Sequence, residues 1–311
     1  MTETQTISEN EMQNINITDL FKLVNLPNSL LASYVIINED RIYLIGGRNE
    51  NNCLNTVYTT TINDDGSLNE WVTLNPLPKP LIHHQCTIIK NHLYTIGGLV
   101  NEDNLTDTVY MTTINEDGTL NEWTVGNPLP LKLFGHKVIT TDKYVYVLGG
   151  VTYKDTLTDN IEIIPEFIPN VYRAKINDNG SLDIWEKHST LPGFLAFFEA
   201  IIVKNRIYLL GGDNGSRIWS GVYTTEIDNE GNLGKWTTSS PLPEPSYSPY
   251  RIIVKDRIYL ITINNERKSS DIVYTTTIDN NGILGKWEVS AILSDCSNNP
   301  KLYFIDHRKI L

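Results

Sequence analysis

Cys86-Thr-Ile-Ile-Lys-Asn-His-Leu-Tyr-Thr-Ile-Gly-Gly98, continued by Thr108-Val-Tyr-Met-Thr-Thr-Ile-Asn-Glu-Asp-Gly-Thr-Leu-Asn-Glu-Trp123, is a unit that the chain writes five times with variations. Trp71, Trp123, Trp185, Trp236 and Trp287 mark the period, at gaps of 52, 62, 51 and 51 residues. A tyrosine stands 13 positions before each: Tyr58, Tyr110, Tyr172, Tyr223 and Tyr274. Gly46-Gly47, Gly97-Gly98, Gly149-Gly150 and Gly211-Gly212 keep a fixed phase, the last three pairs 26 residues after a tryptophan.

Within a unit the periodicity is that of strands. Thr87–Lys90 and Leu93–Ile96 are short apolar runs parted by the polar pair Asn91-His92, the pattern of a tight hairpin between strands a and b. Val109–Ile114 is β-branched and aromatic, as strand c should be. Asn115-Glu-Asp-Gly118 then reads as a turn into strand d at Trp123, its glycine suited to positive φ. A four-stranded sheet of this size cannot bury both faces alone. Radial stacking on neighbouring copies does bury them, so a period near 50 points to the blades of a β-propeller. The large apolar area of each tryptophan suits it to the gap between blades.

On this pattern the chain resembles the kelch-repeat β-propeller family, in its bacterial kelch-like form. The family pattern is an apolar run, a Gly-Gly pair, then a spaced Tyr and Trp. Here it reads Ile42-Tyr-Leu-Ile-Gly-Gly47, Tyr58, Trp71, and so on through roughly residues 20–290. Three departures stand out. The c–d hairpin is longer than usual, and Thr262-Ile263 replaces the fifth Gly-Gly. The family's Arg and Gly-His before strand a survive only as Gly135-His136, with Leu30, Leu81, Leu133, Leu195 and Ser246 in the arginine column.

The 311 residues read as one all-β propeller domain, 1–311. Residues 1–17 are a polar tail or a closing strand. Thr4–Ser8 resembles a strand c, Leu20-Phe21 falls where a tryptophan belongs, and Leu26-Pro27 repeats Leu77-Pro78. At the other end Lys301–Ile305 resembles strand b, and Ala291–Cys296 a compressed strand a. The expected count is six blades, the last closed by strands from both ends. Five blades with stray terminal strands is the alternative. The third unit carries an insertion, 152–170, whose apolar residues and two prolines read as an ordered loop.

A formal net charge of −12 disfavours nucleic acid or an anionic membrane as partner, since phosphate neutralisation needs clustered Lys and Arg. Cys53, Cys86 and Cys296 are too few and scattered for a disulfide framework or a zinc site. No signal peptide and no 18-residue apolar run is present, so the expected setting is cytoplasmic. The Asn/Asp/Gly turns between c and d lack the alternating acidic spacing of a calcium loop, so no metal and no cofactor is expected.

Strand direction alternates, so d–a and b–c connections share one face. There the copies diverge: Leu31-Ala-Ser-Tyr34, Ile82-His-His-Gln85, Phe134-Gly-His-Lys137, Ala196-Phe-Phe-Glu199 and Tyr247-Ser-Pro-Tyr250. These segments lead into the innermost strands and should rim a central channel. A concave site with aromatic walls and a few polar groups is the default ligand site. The candidate binding residues are His83, Phe134, Phe197, Phe198, Trp219, Tyr247 and Arg251. Against each stands a packing role, and for His136 a structural hydrogen bond. Two uses fit: a module binding a protein, peptide, glycan or small molecule, or an enzyme of isomerase, lyase or cyclase type. The second would use His84, His136, Glu199 and Tyr250 for proton transfer. The resemblance implies binding.

Overall fold

Each repeat folds into an antiparallel meander because short β-branched runs are punctuated by turns, and the meanders then bury one another's faces. The computed structural model describes residues 22–23, 31–64, 67–154, 164–263, 269–292 and 303–304. Five four-stranded sheets, ordered a-b-c-d, stand among them as blades of a propeller. Their inner strands are Tyr34–Asn38, Gln85–Ile89, Lys137–Thr140, Glu199–Val203 and Tyr250–Val254. No helix of the described residues is long and apolar enough to cross a membrane.

Five is the smaller of the two expected counts. The two ends of the chain meet in a short antiparallel pair, Lys22–Leu23 with Tyr303–Phe304. The tail 1–17, Leu20-Phe21, Leu26-Pro27 and most of Lys301–Ile305 lie outside the described residues. Ala291 and Ile292, expected to open a strand a, instead end strand d of blade 5, Glu288–Ile292. The a–b turn of blade 2 is also one residue earlier than expected. Lys90, at φ 54°, occupies it with Asn91, and His92 opens strand b.

Four of the five tryptophans lie where blades meet, while Trp71 packs on Ile42 and Ile62 of its own blade. Trp123 packs on a cluster that contains Tyr43, Ile45 and Val57 of blade 1, and Trp185, 5% exposed, belongs to one with Tyr94, Ile96 and Val109 of blade 2. Trp236 and Trp287 pack in the same way on clusters holding residues of blades 3 and 4. The Trp123 indole N–H donates to the Asn75 carbonyl at 3.1 Å, and the Asn75 amide donates back across the joint to the Leu120 carbonyl at 2.8 Å. Trp185 and Asn127 repeat the exchange. Serine (Ser189, Ser240) stands in the asparagine column of the next two blades, and there the Trp236 and Trp287 N–H groups are buried without a partner.

A second contact recurs at every described joint. The strand b tyrosine of one blade donates its hydroxyl to the carbonyl of the c–d turn glycine of the next. Tyr43 reaches Gly118 at 3.0 Å, Tyr94 reaches Gly180 at 2.7 Å, Tyr146 reaches Gly231 at 2.6 Å, and Tyr208 reaches Gly282 at 2.8 Å. Lysines of the a–b turns reinforce it: Lys90, Lys143 and Lys204 donate to turn carbonyls of Asp178, Asn229 and Asn280.

The glycine pairs make a third contact. The N–H of Gly98 donates to the Leu133 carbonyl of the next blade at 2.7 Å. Gly97 lies at φ +61°, where a Cβ would come within 2.9 Å of that same carbonyl and 2.8 Å of the His136 ring. No L side chain fits this approach. Where Thr262-Ile263 replaces the pair, strand b stays extended to Ile263, which pairs with Ser269.

The insertion in unit three builds its own hairpin, Val151–Lys154 against Ile164–Phe167, and residues 155–163 lie outside the described residues.

Tyr94→Phe and Tyr146→Phe should each lower unfolding free energy by about 1 kcal/mol, the cost of a lost buried hydrogen bond. Gly97→Ala should cost several-fold more, through backbone strain and the clash together. Urea denaturation at constant m-value checks both. Removing residues 303–311 should lower the midpoint, which a frayed end would not do.

Candidate functional site

Strand pairing continues past strand a into the segment that leads to it. Leu31 pairs with Arg48, Ile82 with Leu99, Phe134 with Val151, and Ala196 with Asp213. The Tyr247 N–H reaches the Ile263 carbonyl at 2.8 Å. The next residue in every blade is left-handed: Ala32 (φ 55°), His83 (φ 52°), Gly135 (φ 63°), Phe197 (φ 52°) and Ser248 (φ 48°). That conformation costs a non-glycine residue roughly 1 kcal/mol. Backbone bonds from blade to blade over-determine it. His83 N–H donates to Ala32 O at 3.1 Å, Phe197 N–H to Gly135 O at 2.8 Å, and Ser248 N–H to Phe197 O at 2.6 Å.

The aromatic residues of these segments converge. Phe197 stacks on Tyr247 with centroids 4.7 Å apart and planes at 21°. Phe134 meets Phe197 edge-to-face at 5.6 Å, and His83 lies 6.3 Å from Phe134 and 6.2 Å from Phe197. Tyr153, from the insertion hairpin, adds an edge-to-face contact with Phe134 at 5.8 Å. Five rings from four blades thus form one layer. His83 is exposed, and the other four are half-buried. Gly135 permits the layer, because a Cβ there would lie 2.7 Å from the Phe197 ring.

One residue further on, the side chain turns into the joint between blades. His84, His136 and Phe198 are 2%, 0% and 0% exposed and lie against Gly46, Gly97 and Gly149 of the preceding blades. His136 Nε2 is 3.2 Å from the Ile96 carbonyl, while neither ring nitrogen of His84 has a partner. Burial pulls the His84 pKa down to about 3 and that of His136 to about 4. The structure therefore separates these three from the aromatic layer.

The first residues of strand a bring charges together. Glu199 accepts from Lys137 at 2.8 Å and from Arg251 at 3.2 Å. Glu199 and Arg251 also act on Tyr34 across the group, and burial raises the Tyr34 pKa. Tyr250, 38% exposed, begins the neighbouring inner strand. Trp219 is a partial wedge: it packs on the joint of blades 3 and 4, and the Arg217 guanidinium lies 4.9 Å from its ring. The loop Glu266-Arg-Lys268 lies outside the described residues. Among the described residues, no three His, Cys, Asp or Glu gather as metal ligands would.

The reading from residue types missed Lys137 and Tyr153. Lys137 and Glu199 occupy one column of adjacent repeats, and their opposite charge at equal phase was a usable signal. Tyr153 sits in an insertion, where repeat alignment is silent.

No family model matches the chain. It is 27% identical over 224 residues to beta-scruin of Limulus polyphemus, covering 68% of this chain and 23% of that protein. It is 30% identical over 186 residues to kelch repeat and BTB domain-containing protein 2 of cowpox virus, covering 58% and 31%. Kelch-like protein 40 of Xenopus laevis is 23% identical over 249 residues, covering 78% and 37%. The chain thus spans roughly a quarter to two fifths of the length of these relatives. A solved structure titled "Structure of YjhT" matches with a TM-score of 0.65 at 16% identity, covering 88% of this chain and 87% of that one, a likeness of fold. With Tyr and Trp repeated five times and Gly-Gly four times, and the repeats built into five blades, the chain is similar to kelch-repeat proteins and has a β-propeller fold.

Proposed function

We propose that the protein is a protein-binding module, and that His83, Phe134, Tyr153, Phe197 and Tyr247 form its contact surface. The observation that carries this reading is Phe197. Four lead-in segments reach the same left-handed geometry with Ala, His, Gly and Ser, so a phenylalanine there is not a backbone requirement. Its half-exposed ring instead joins four others in a layer, the kind of rigid aromatic surface that dominates binding energy in protein interfaces. Kelch propellers are generally protein-binding modules, which supports the reading. The acid–base alternative has less behind it, because His84 and His136 are shut between blades and Glu199 is held by two cations.

Phe197→Gly separates function from stability. Relief of the left-handed strain should hold or raise the melting temperature, while loss of the ring should weaken partner capture by about 30-fold or more, a typical hot-spot effect. Tyr247→Ala should weaken capture in the same direction. The check is quantitative crosslinking and pull-down with immobilised protein, with the outer-wall change Val125→Ala as control. Identical capture by all four proteins would refute the assignment.

A further inference from the structure

The ring lodged against the preceding glycine pair is an imidazole in two joints and a phenyl in the third: His84, His136, Phe198. The phenyl shows that this position demands shape and no charge. An imidazole satisfies it only when neutral, because a charged ring shut away from water needs a counter-charge. Tyr34, 6.2 Å from His84 ring to ring, and His83 beside it face the first imidazole, on which His136 also bears; Lys137 and the Ile96 carbonyl face the second. These groups are neutral or cationic. Glu199, the carboxylate of this neighbourhood, is bound by Lys137 and Arg251. His84 and His136 also directly follow His83 and Gly135 in the blade-to-blade ring of lead-in segments.

We propose that His84 and His136 form an acid-sensitive latch: protonation opens the joints among the first three blades and parts His83 from the rest of the aromatic layer. This stands independently of the protein-binding reading, since it concerns the joints themselves. The sign follows from burial. Both groups hold folded pKa values, about 3 and about 4, below the ordinary histidine value of about 6.5. Their contribution to stability is therefore complete above about pH 6.5 and is lost as pH falls below it. Between pH 7 and pH 5 the population of the opened form should rise on the order of 20-fold per imidazole.

The test is the melting temperature of the full chain at pH 7.5, 6.5, 5.8 and 5.0, for wild type, His84→Phe, His136→Phe and the double variant. Phe198 supplies the precedent for the substitution. Wild type should lose stability over this range, and each phenylalanine should remove part of the slope. A remainder is expected from His188, which burial also holds low and which stays in every variant. A double variant with the wild-type slope overturns the proposal. Should a variant fail to fold, hydrogen exchange in wild type decides. The amides of Gly47 and Gly98, bonded across the joints to Leu81 and Leu133, should exchange faster at pH 5 after correction for intrinsic rates. Unchanged protection there overturns the proposal equally.

Discussion

A phenol reaching across to a neighbour's turn carbonyl is the contact on which this propeller depends. Within a blade, hydrogen bonds close between consecutive strands and say nothing about the next blade. The apolar faces supply attraction between blades, but burial is non-directional and tolerates sliding. The hydroxyls of Tyr43, Tyr94, Tyr146 and Tyr208 set the register, each ending on one backbone oxygen of the next sheet. These hydroxyls are buried with their partners, so a slip would strand a donor and an acceptor away from water. The Asn–Trp exchange and the glycine approach fix the same joint at two other radii.

Rigidity in the joints is what allows strain at the rim. Four non-glycine residues sit in left-handed geometry around one opening, at a combined cost of a few kcal/mol. A loosely held loop would relax out of it. Here each such residue lies between a lead-in segment paired to the end of strand b and an inner strand locked in a sheet. The turn chemistry of the opposite face needs no such support, because Asn, Asp and Gly adopt those conformations readily.

The architecture was legible because the residues that recur, Trp and Gly-Gly, serve contacts repeated at successive joints. The phenol clasp was harder to see. Its donors recur in strand b, but its acceptor is a carbonyl that any residue carries. The rim was legible as a region: Phe134, Phe197, Tyr247 and His83 do converge. The neighbours His84 and Phe198 were grouped with them by residue type, yet a one-residue step reverses the facing of a side chain. The phenyl of Phe198 in the same column as two histidines was the available sign that chemistry was not the requirement. The blade count was not legible with equal clarity, because the terminal segments carry neither the tryptophan nor the glycine pair.

The clasp has a sense of direction: at the four described joints the earlier blade donates the hydrogen bond and the later blade accepts it. A head-to-tail joint of this kind makes no distinction between one neighbour and another. Excising a whole unit would leave its predecessor's phenol facing its successor's turn, with the same atoms in the same roles. Duplication would insert a joint already solved. The number of blades is thus left to the angle at which the ring closes, and a lineage built on this joint can gain or lose sheets without having to invent a new interface.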